Sequence, residues 1–279
     1  KVELEKIRPV DISEILRDVA NGYDDNKPRP TLSNDLMRLL RNLFDHGIKL
    51  DVTRFNPASP FRPRDAGGEE KAANYPMNED EVTEFFTKLR VIPAQFSREN
   101  YLACALLIAT CTRKMELLAA PWSEFDLENR IWYLPEERTK KRRAIDIPLA
   151  EPAVEWLNEL KVRSCGSEWV FPARRISKKA RTPFVCENTL NHALKKLFEK
   201  KFFSFDKRRV HDLRGTARTK LGKLGFDDNL AQRCLNQLPG NRTDRVYNKH
   251  AYFEERRAAH EALCEWLAPI VRGEVSSGG

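Results

Sequence analysis

The chain has 279 residues, a formal net charge of +8 and 41% hydrophobic residues. That length suits two domains, and the apolar content is enough for packed cores, which excludes a disordered chain. No apolar run approaches the roughly 20 residues needed to cross a bilayer, and no signal peptide is visible, so the cytoplasm is the expected compartment.

Residues 1 to about 56 read as helical. One helix starts over Asp11-Ile12-Ser13-Glu14-Ile15-Leu16 and stops at Gly22. Ser33-Asn34-Asp35 is expected to cap a second, with Leu36, Met37, Leu40, Leu43 and Phe44 at helical spacing and Gly47 as its stop. The stretch from Asn56 to Gly68, rich in Pro and Gly, cannot continue a helix. The expected division is therefore a helical domain over 1–60, a linker over 61–76, a second domain over 77–270 and a frayed tail over 271–279.

In the second domain, Asn78-Glu79-Asp80-Glu81 opens a helix with acidic residues where the helix dipole favours them. Residues 100–120 are the most apolar segment and predict a buried helix, from whose end Arg113 emerges. Two readings of Arg113 are open: a charge presented from a rigid place, or a surface side chain paired with Glu116. Residues 130–134 and 144–149 read as strands of a hairpin, with Thr139-Lys140-Lys141-Arg142-Arg143 at or near its tip. Such a tip is either a solvated turn or a device that delivers one ammonium into a groove. Helices are expected over 152–163, 187–200, 211–222, 227–235 and 253–270. The last carries Ala259, Leu263, Trp266, Leu267 and Ile270 on one face, suited to closing its own core or docking on another protomer. The fold class is mainly α with a small antiparallel β-sheet.

The 6 cysteines include no CxxC pair. Cys104, Cys111, Cys234 and Cys264 lie in helix-like apolar runs and read as small buried hydrophobes, which argues against a zinc site or a disulfide framework. Basic residues cluster at Arg174, Arg175, Lys178, Lys179 and Arg181, at Lys195, Lys196, Lys200 and Lys201, and at Lys207, Arg208 and Arg209. This is the footprint of a polyanion binder, set against the simpler reading of a basic solvated surface.

The residues suited to chemistry lie between Val210 and Tyr252. His211 and Arg214 stand three residues apart, on one face of a helix. A guanidinium holds two phosphate oxygens through its planar fork, and an imidazole moves a proton near neutral pH. Tyr247 follows in a segment with few apolar residues to bury it, and a phenol oxygen can form a covalent ester.

Arg113 within Thr110-Cys111-Thr112-Arg113-Lys114-Met115-Glu116-Leu117, a lysine hairpin, His211-Asp212-Leu213-Arg214 and Tyr247 form an ordered set. Pro121-Trp122-Ser123-Glu124-Phe125-Asp126, Ile147-Pro148-Leu149 and Tyr247-Asn248-Lys249-His250 flank it. Together these resemble a tyrosine recombinase, more narrowly an integrase of the phage and genomic-island type, over about residues 79–270. The resemblance implies a helical core DNA-binding domain followed by a mixed α+β catalytic domain. It implies that Arg113 and Arg214 clamp the scissile phosphate and that Lys140 protonates the leaving 5′-oxygen, with Lys141 the competing choice. His211 would be the general acid/base and Tyr247 the nucleophile, Tyr252 being a poorer one. Asp212 and Glu116 are expected to orient the arginines. One position departs: the family usually has His or Trp where Gln237 follows Leu235-Asn236. Gln237 can donate a hydrogen bond to a phosphate oxygen but cannot titrate.

The implied partner is double-stranded DNA, with self-association into dimers or tetramers on it, accessory bending proteins and the nucleoid as location. No cofactor or metal is expected. Because Lys1 is not Met, the natural start is expected to be missing, along with a further small DNA-binding domain ahead of it. A type IB topoisomerase and a DNA-binding regulator with a degenerate site are the rival readings.

Overall fold

In the computed structural model, residues 3–23, 27–69, 75–173, 182–237 and 252–275 are described. The chain divides into two compact units, Lys1–Ala73 and Asn74–Gly279.

The first unit is a helix pair, α1 (Pro9–Asn21) and α2 (Pro30–Lys49), each with a proline in its first turn. There the missing N–H costs no hydrogen bond and the fixed φ suits the helix, so α2 begins at Pro30 and not at the expected Ser33 cap. Ser33 and Asn34 are instead buried inside the helix. The Ser33 hydroxyl donates to the Leu16 carbonyl at 2.7 Å. Asn34 Nδ2 donates to the Gly68 carbonyl at 2.9 Å, and its Oδ1 accepts from the Gly67 amide at 2.9 Å. These bonds tie down part of the expected linker. Phe61 and Ala66 also pack on the small core of Ile12, Leu16, Met37, Phe44 and Ala58, so the first unit takes in residues assigned to a connection. Gly67 is required here, because a Cβ would lie 1.7 Å from the Pro30 carbonyl oxygen. At the other end α2 passes through Gly47 to Lys49.

The second unit is built around α4 (Arg98–Ala109), in which every residue from Tyr101 to Ala109 is buried. A helix apolar on all sides has to be covered on all sides. The cover comes from α3 (Glu79–Arg90), α5 (Lys114–Leu118), α6 (Glu151–Arg163), α8 (Asp212–Lys223) and α10 (Phe253–Arg272). α7 (Thr189–Glu199) and α9 (Asp228–Cys234) complete the helices. A three-stranded antiparallel sheet, in the order β1 (Phe125–Asp126), β2 (Ile131–Leu134), β3 (Ile145–Pro148), stands to one side. Its register pairs Trp132 with Phe125 on one flank and with Ile147 on the other. Alternation buries Trp132 and Leu134 and exposes Tyr133. The two-residue β1 is too short to carry a periodic signal, and the sequence reading lacked it.

The apolar face of α10 closes its own unit's core against α3, α4, α6, α8, α9 and β3. The helix also runs past the expected tail boundary to Arg272. Val271 is buried, and its carbonyl accepts from the Tyr101 hydroxyl at 2.7 Å. Gly273 ends the helix at φ 86°, where a Cβ would collide with the Arg90 guanidinium. Among the described residues no helix is long and apolar enough to cross a membrane.

Candidate active site

Arg113 sits at the N-cap of α5, one short turn after the buried α4 ends. Both arms of the Glu116 carboxylate hold it: Oε2 accepts from the Arg113 amide at 2.8 Å and Oε1 from Nη1 at 2.7 Å. Glu116 is buried, whereas the Arg113 side chain keeps 20% of its exposure. Of the two sequence readings of Arg113, the pairing with Glu116 is observed, on a side chain that is partly buried.

Arg214 comes from the first turn of α8 and is only 4% exposed. Its Nη1 donates to the Cys111 carbonyl and its Nη2 to the Leu235 carbonyl. Cys111 itself adopts a left-handed conformation with φ 55°, and so does Asn236, the residue after Leu235, with φ 50°. Residues other than glycine rarely take that conformation, which costs about 1–3 kcal/mol at a residue such as Cys111 and less at an asparagine. The strain is placed at the two backbone turns that offer carbonyl oxygens to one guanidinium. Burial, with the neighbouring Arg113 charge acting in the same direction, lowers the Arg214 pKa to about 10. Arg214 remains cationic at neutral pH. The result is two guanidiniums within each other's field, one of them held by two carbonyl oxygens, which favours a bound anion.

His211 caps α8. Partial burial lowers its pKa below the ordinary value of 6.5, and Arg214, Arg209 and Arg113 act in the same direction against Asp212. Its imidazole is thus neutral at pH 7, a proton acceptor beside the two arginines. Asp212 does not orient Arg214 as expected. Its carboxylate accepts from the Arg209 amide at 2.8 Å and from Nη2 of Arg209 at 3.1 Å, leaving Arg214 to the carbonyls.

Gln237 is half-buried, and its amide N–H donates to the Gln232 carbonyl at 2.8 Å. It follows the Leu235 turn directly, which places it next to the Arg214 anchor. Lys140 and Lys141 are exposed in the turn between β2 and β3. Tyr247 and the basic cluster at 174–181 lie outside the described residues. Tyr252 packs against the core: it is half-buried just before α10, with the Arg233 guanidinium 4.1 Å from its ring centroid.

Of the other basic residues, Arg208 is taken up by the fold, its Nη2 lying 2.6 Å from Glu81 with the side chain 12% exposed. Lys195 pairs with Glu199 at 3.4 Å, and Lys196, Lys200, Lys201 and Lys207 are exposed. Among the described residues no group of three or more His, Cys, Asp or Glu side chains is placed to share a metal ion.

Sequence reasoning missed the residues behind the hairpin. Arg138 Nη1 donates to Glu124 Oε2 at 2.6 Å, and its Nη2 donates to the Glu116 carbonyl. The Trp132 indole donates to the same Glu124 oxygen at 2.9 Å. Burial pushes the Glu124 pKa up, and the bonds from Trp132 and Arg138 offset this only in part. The only trace in the sequence is a carboxylate next to a tryptophan-containing turn, which any surface loop resembles.

Residues 76–254 match the family model described as the phage integrase family. The chain is 29% identical over 193 residues to the prophage integrase IntA of Escherichia coli (strain K12), covering 69% of this chain and 43% of that protein. It is 26% identical over 250 residues to the integrase of Enterobacteria phage P4, covering 83% and 54%. The chain thus spans about half the length of these relatives or less. Its fold matches that of lambda integrase, solved as a dimer bound to a core site, with a TM-score of 0.64 at 21% identity over 88% of this chain and 82% of that one. It also matches the Tn1549 transposon integrase in complex with a circular intermediate DNA, with a TM-score of 0.67 at 18% identity over 93% and 86%. With a family match over most of the second unit and the arginine pair at its centre, the chain belongs to the phage integrase family.

Proposed function

We propose that this protein is a tyrosine recombinase that cuts and rejoins DNA at specific sites through a covalent 3′-phosphotyrosyl ester. The observation that supports it best is the meeting of Arg113, Arg214 and His211, brought from the ends of α4 and α8 to one cationic centre. A scissile phosphate binds there with its non-bridging oxygens on the two guanidiniums. Negative charge grows on those oxygens as the pentacoordinate phosphorane forms, and each preorganised contact is worth about 3–4 kcal/mol.

Tyr247 supplies the attacking oxygen. A free phenol with a pKa of about 10 is ionised in about one molecule in a thousand at pH 7, a deficit of about 4 kcal/mol. His211, neutral because its pKa is depressed, takes the phenol proton during attack. The bond from phosphorus to the 5′-oxygen breaks as Lys140 hands that oxygen a proton, and the 3′-phosphoryl group stays on Tyr247. Gln237 donates a hydrogen bond to a phosphate oxygen. The ester keeps the bond energy, so a 5′-hydroxyl from another strand reverses the sequence without nucleotide or metal. Exposed Lys196, Lys200, Lys201 and Lys207 track neighbouring phosphates.

Lambda integrase has been solved as a tetramer bound to a Holliday junction, and by likeness of fold we extend self-association on DNA to this chain. Accessory DNA-bending proteins and a place on the bacterial nucleoid in the cytoplasm belong to the same proposal, as does a division into a helical DNA-binding domain and a catalytic domain.

The test is a nicked suicide substrate, from which the cleaved 5′ fragment diffuses away. Wild-type protein is expected to accumulate a denaturant-resistant protein–DNA adduct, and Tyr247→Phe none. Adduct that persists in Tyr247→Phe, or fails to form in the wild type, overturns the proposal. Products joined between two duplexes, as opposed to relaxed plasmid, set strand exchange apart from topoisomerase action.

A further inference from the structure

The turn that carries Lys140 is exposed at its tip and fixed at its root. Thr139 is 5% exposed. Its hydroxyl donates to the Glu136 carbonyl at 3.1 Å and accepts from the Arg143 amide at 2.8 Å. Its carbonyl accepts from the Arg142 amide at 3.1 Å, so Lys140 and Lys141 are the two central residues of a closed turn. Immediately before Thr139 stands Arg138, the last residue of a one-turn 3-10 helix over Glu136–Arg138. One end of its guanidinium holds Glu124, which is 8% exposed, and the other holds the carbonyl of Glu116. Glu116 is the residue whose carboxylate fixes Arg113. A continuous chain of contacts therefore runs from Trp132 on β2 through Glu124, Arg138 and Glu116 to Arg113. Its members are mostly buried, so each bond is dear to break.

We infer that Arg138 is a positioning residue: gripped by Glu124 and by the Glu116 backbone, it locks the root of the Lys140 turn to the Arg113 turn, so that proton donor and phosphate clamp stay in register. The inference rests on the reading of Lys140 as the donor to the 5′-oxygen. Lysine at position 138 would keep the charge but would not span both acceptors, since a planar fork reaches two directions and an ammonium on a flexible stem does not. Misplacing a reacting group by about 1 Å can cost about 10²-fold in rate. The loss should fall on the proton transfer to the leaving group, because Arg113 keeps its own two bonds to the Glu116 carboxylate.

The test compares two nicked suicide substrates, one with the natural 5′-bridging oxygen and one with sulfur in its place. Sulfur leaves as a thiolate and needs no proton. Lys140→Ala is expected to slow single-turnover cleavage of the oxygen substrate by about 10²–10⁴-fold and to recover on sulfur. Arg138→Ala is expected to lose about 10²-fold on oxygen, with Arg138→Lys in between, and both to recover on sulfur to within about threefold of wild type. Arg138→Ala equally slow on both substrates, or unimpaired on oxygen, overturns the inference. Lys140→Ala equally slow on both overturns the reading of Lys140 beneath it, a distinguishable result. Should Arg138→Ala fail to fold, Glu124→Gln weakens the same grip while leaving Trp132 an acceptor. It is expected to show the same recovery on sulfur, and its absence counts against the inference in the same way.

Discussion

Arg214 and Lys140 are two cations that the proposed mechanism places on one phosphate, and they are held in opposite ways. Arg214 is buried, with both terminal nitrogens committed to carbonyl oxygens of two strained turns. Lys140 is exposed on a turn whose root is gripped one and two residues earlier. The difference follows from what each has to do. A clamp gains from being set before the substrate arrives, because nothing then has to reorganise as charge develops. A proton donor has to reach an oxygen that moves away as the bond breaks, so it gains from a short, tethered reach. Strain at Cys111 and Asn236 is spent on the first, and the Arg138 grip serves the second.

A large effect is expected from breaking the clamp. Arg214→Lys keeps the positive charge but cannot serve the Cys111 and Leu235 carbonyls together, leaving one buried acceptor unsatisfied at a cost of about 1–3 kcal/mol. Thermal unfolding should register that cost. Single-turnover cleavage should fall by about 10²–10³-fold, the loss of one oriented contact to the phosphorane. Cleavage within tenfold of wild type would show that charge alone suffices and that the two strained turns serve packing.

A second effect concerns the floor on which the clamp stands. His260 of α10 is 2% exposed, and its Nδ1 meets the Ala109 carbonyl at 2.8 Å, at the end of α4 just before the Arg113 turn. Burial pushes its pKa down to about 4, more than the Ala109 hydrogen bond restores. The unfolded chain takes up a proton near pH 6.5 and the folded chain only near pH 4. Stability that is complete above pH 6.5 is therefore lost as pH falls through that window, by about 3 kcal/mol at its lower end. His260→Gln keeps a donor for Ala109 and removes the titration. The difference in melting temperature between wild type and this variant should shift steadily in the variant's favour between pH 6.5 and 4. A constant difference would mean that His260 is solvated in a way its burial does not suggest.

Much of this was legible from the residues and some was not, for physical reasons that differ by position. Arg113, His211 and Arg214 were picked out by an ordered set of short words, and the structure brings their charges within each other's field. The partners of Arg214 were not, since they are the backbone carbonyls of Cys111 and Leu235, and any residue carries a carbonyl. Asp212 looked like an orienting group for Arg214 by proximity in sequence, yet from the first turn of α8 it reaches back to Arg209. Ser33 and Asn34 looked like a helix cap because small polar residues usually are one. Here three interior hydrogen bonds to other segments outweigh that habit, and Pro30 starts the helix. The helical character of both units and the hairpin were plain, because periodicity survives tertiary context. The Arg138–Glu124 pair was invisible, because a salt bridge between residues far apart in sequence leaves no local pattern.

The smallest expected effect sharpens the contrast at the hairpin itself, where the sequence offered the adjacent Lys140 and Lys141. Both are exposed, so burial does not choose. Their tethers differ: Lys140 follows the buried Thr139 directly, whereas Lys141 is followed by Arg142 at φ 47°, in the left-handed stretch that turns the chain back toward β3. Lys140 therefore inherits the fixed root, and Lys141 rides on the far side of the turn as a charge without a fixed address. Lys141→Ala is expected to slow cleavage by less than about fivefold at low salt, an effect that fades once the Debye length falls toward about 8 Å at physiological ionic strength. Its small defect should be the same on oxygen and sulfur substrates, because a screened charge aids binding and does not protonate the leaving group. A Lys141→Ala defect of about 10²-fold that recovers on sulfur would move the donor one residue along. It would also mean that the grip at Arg138 reaches past Thr139 to the second residue of the turn, which would make the hairpin a stiffer arm than its exposure implies.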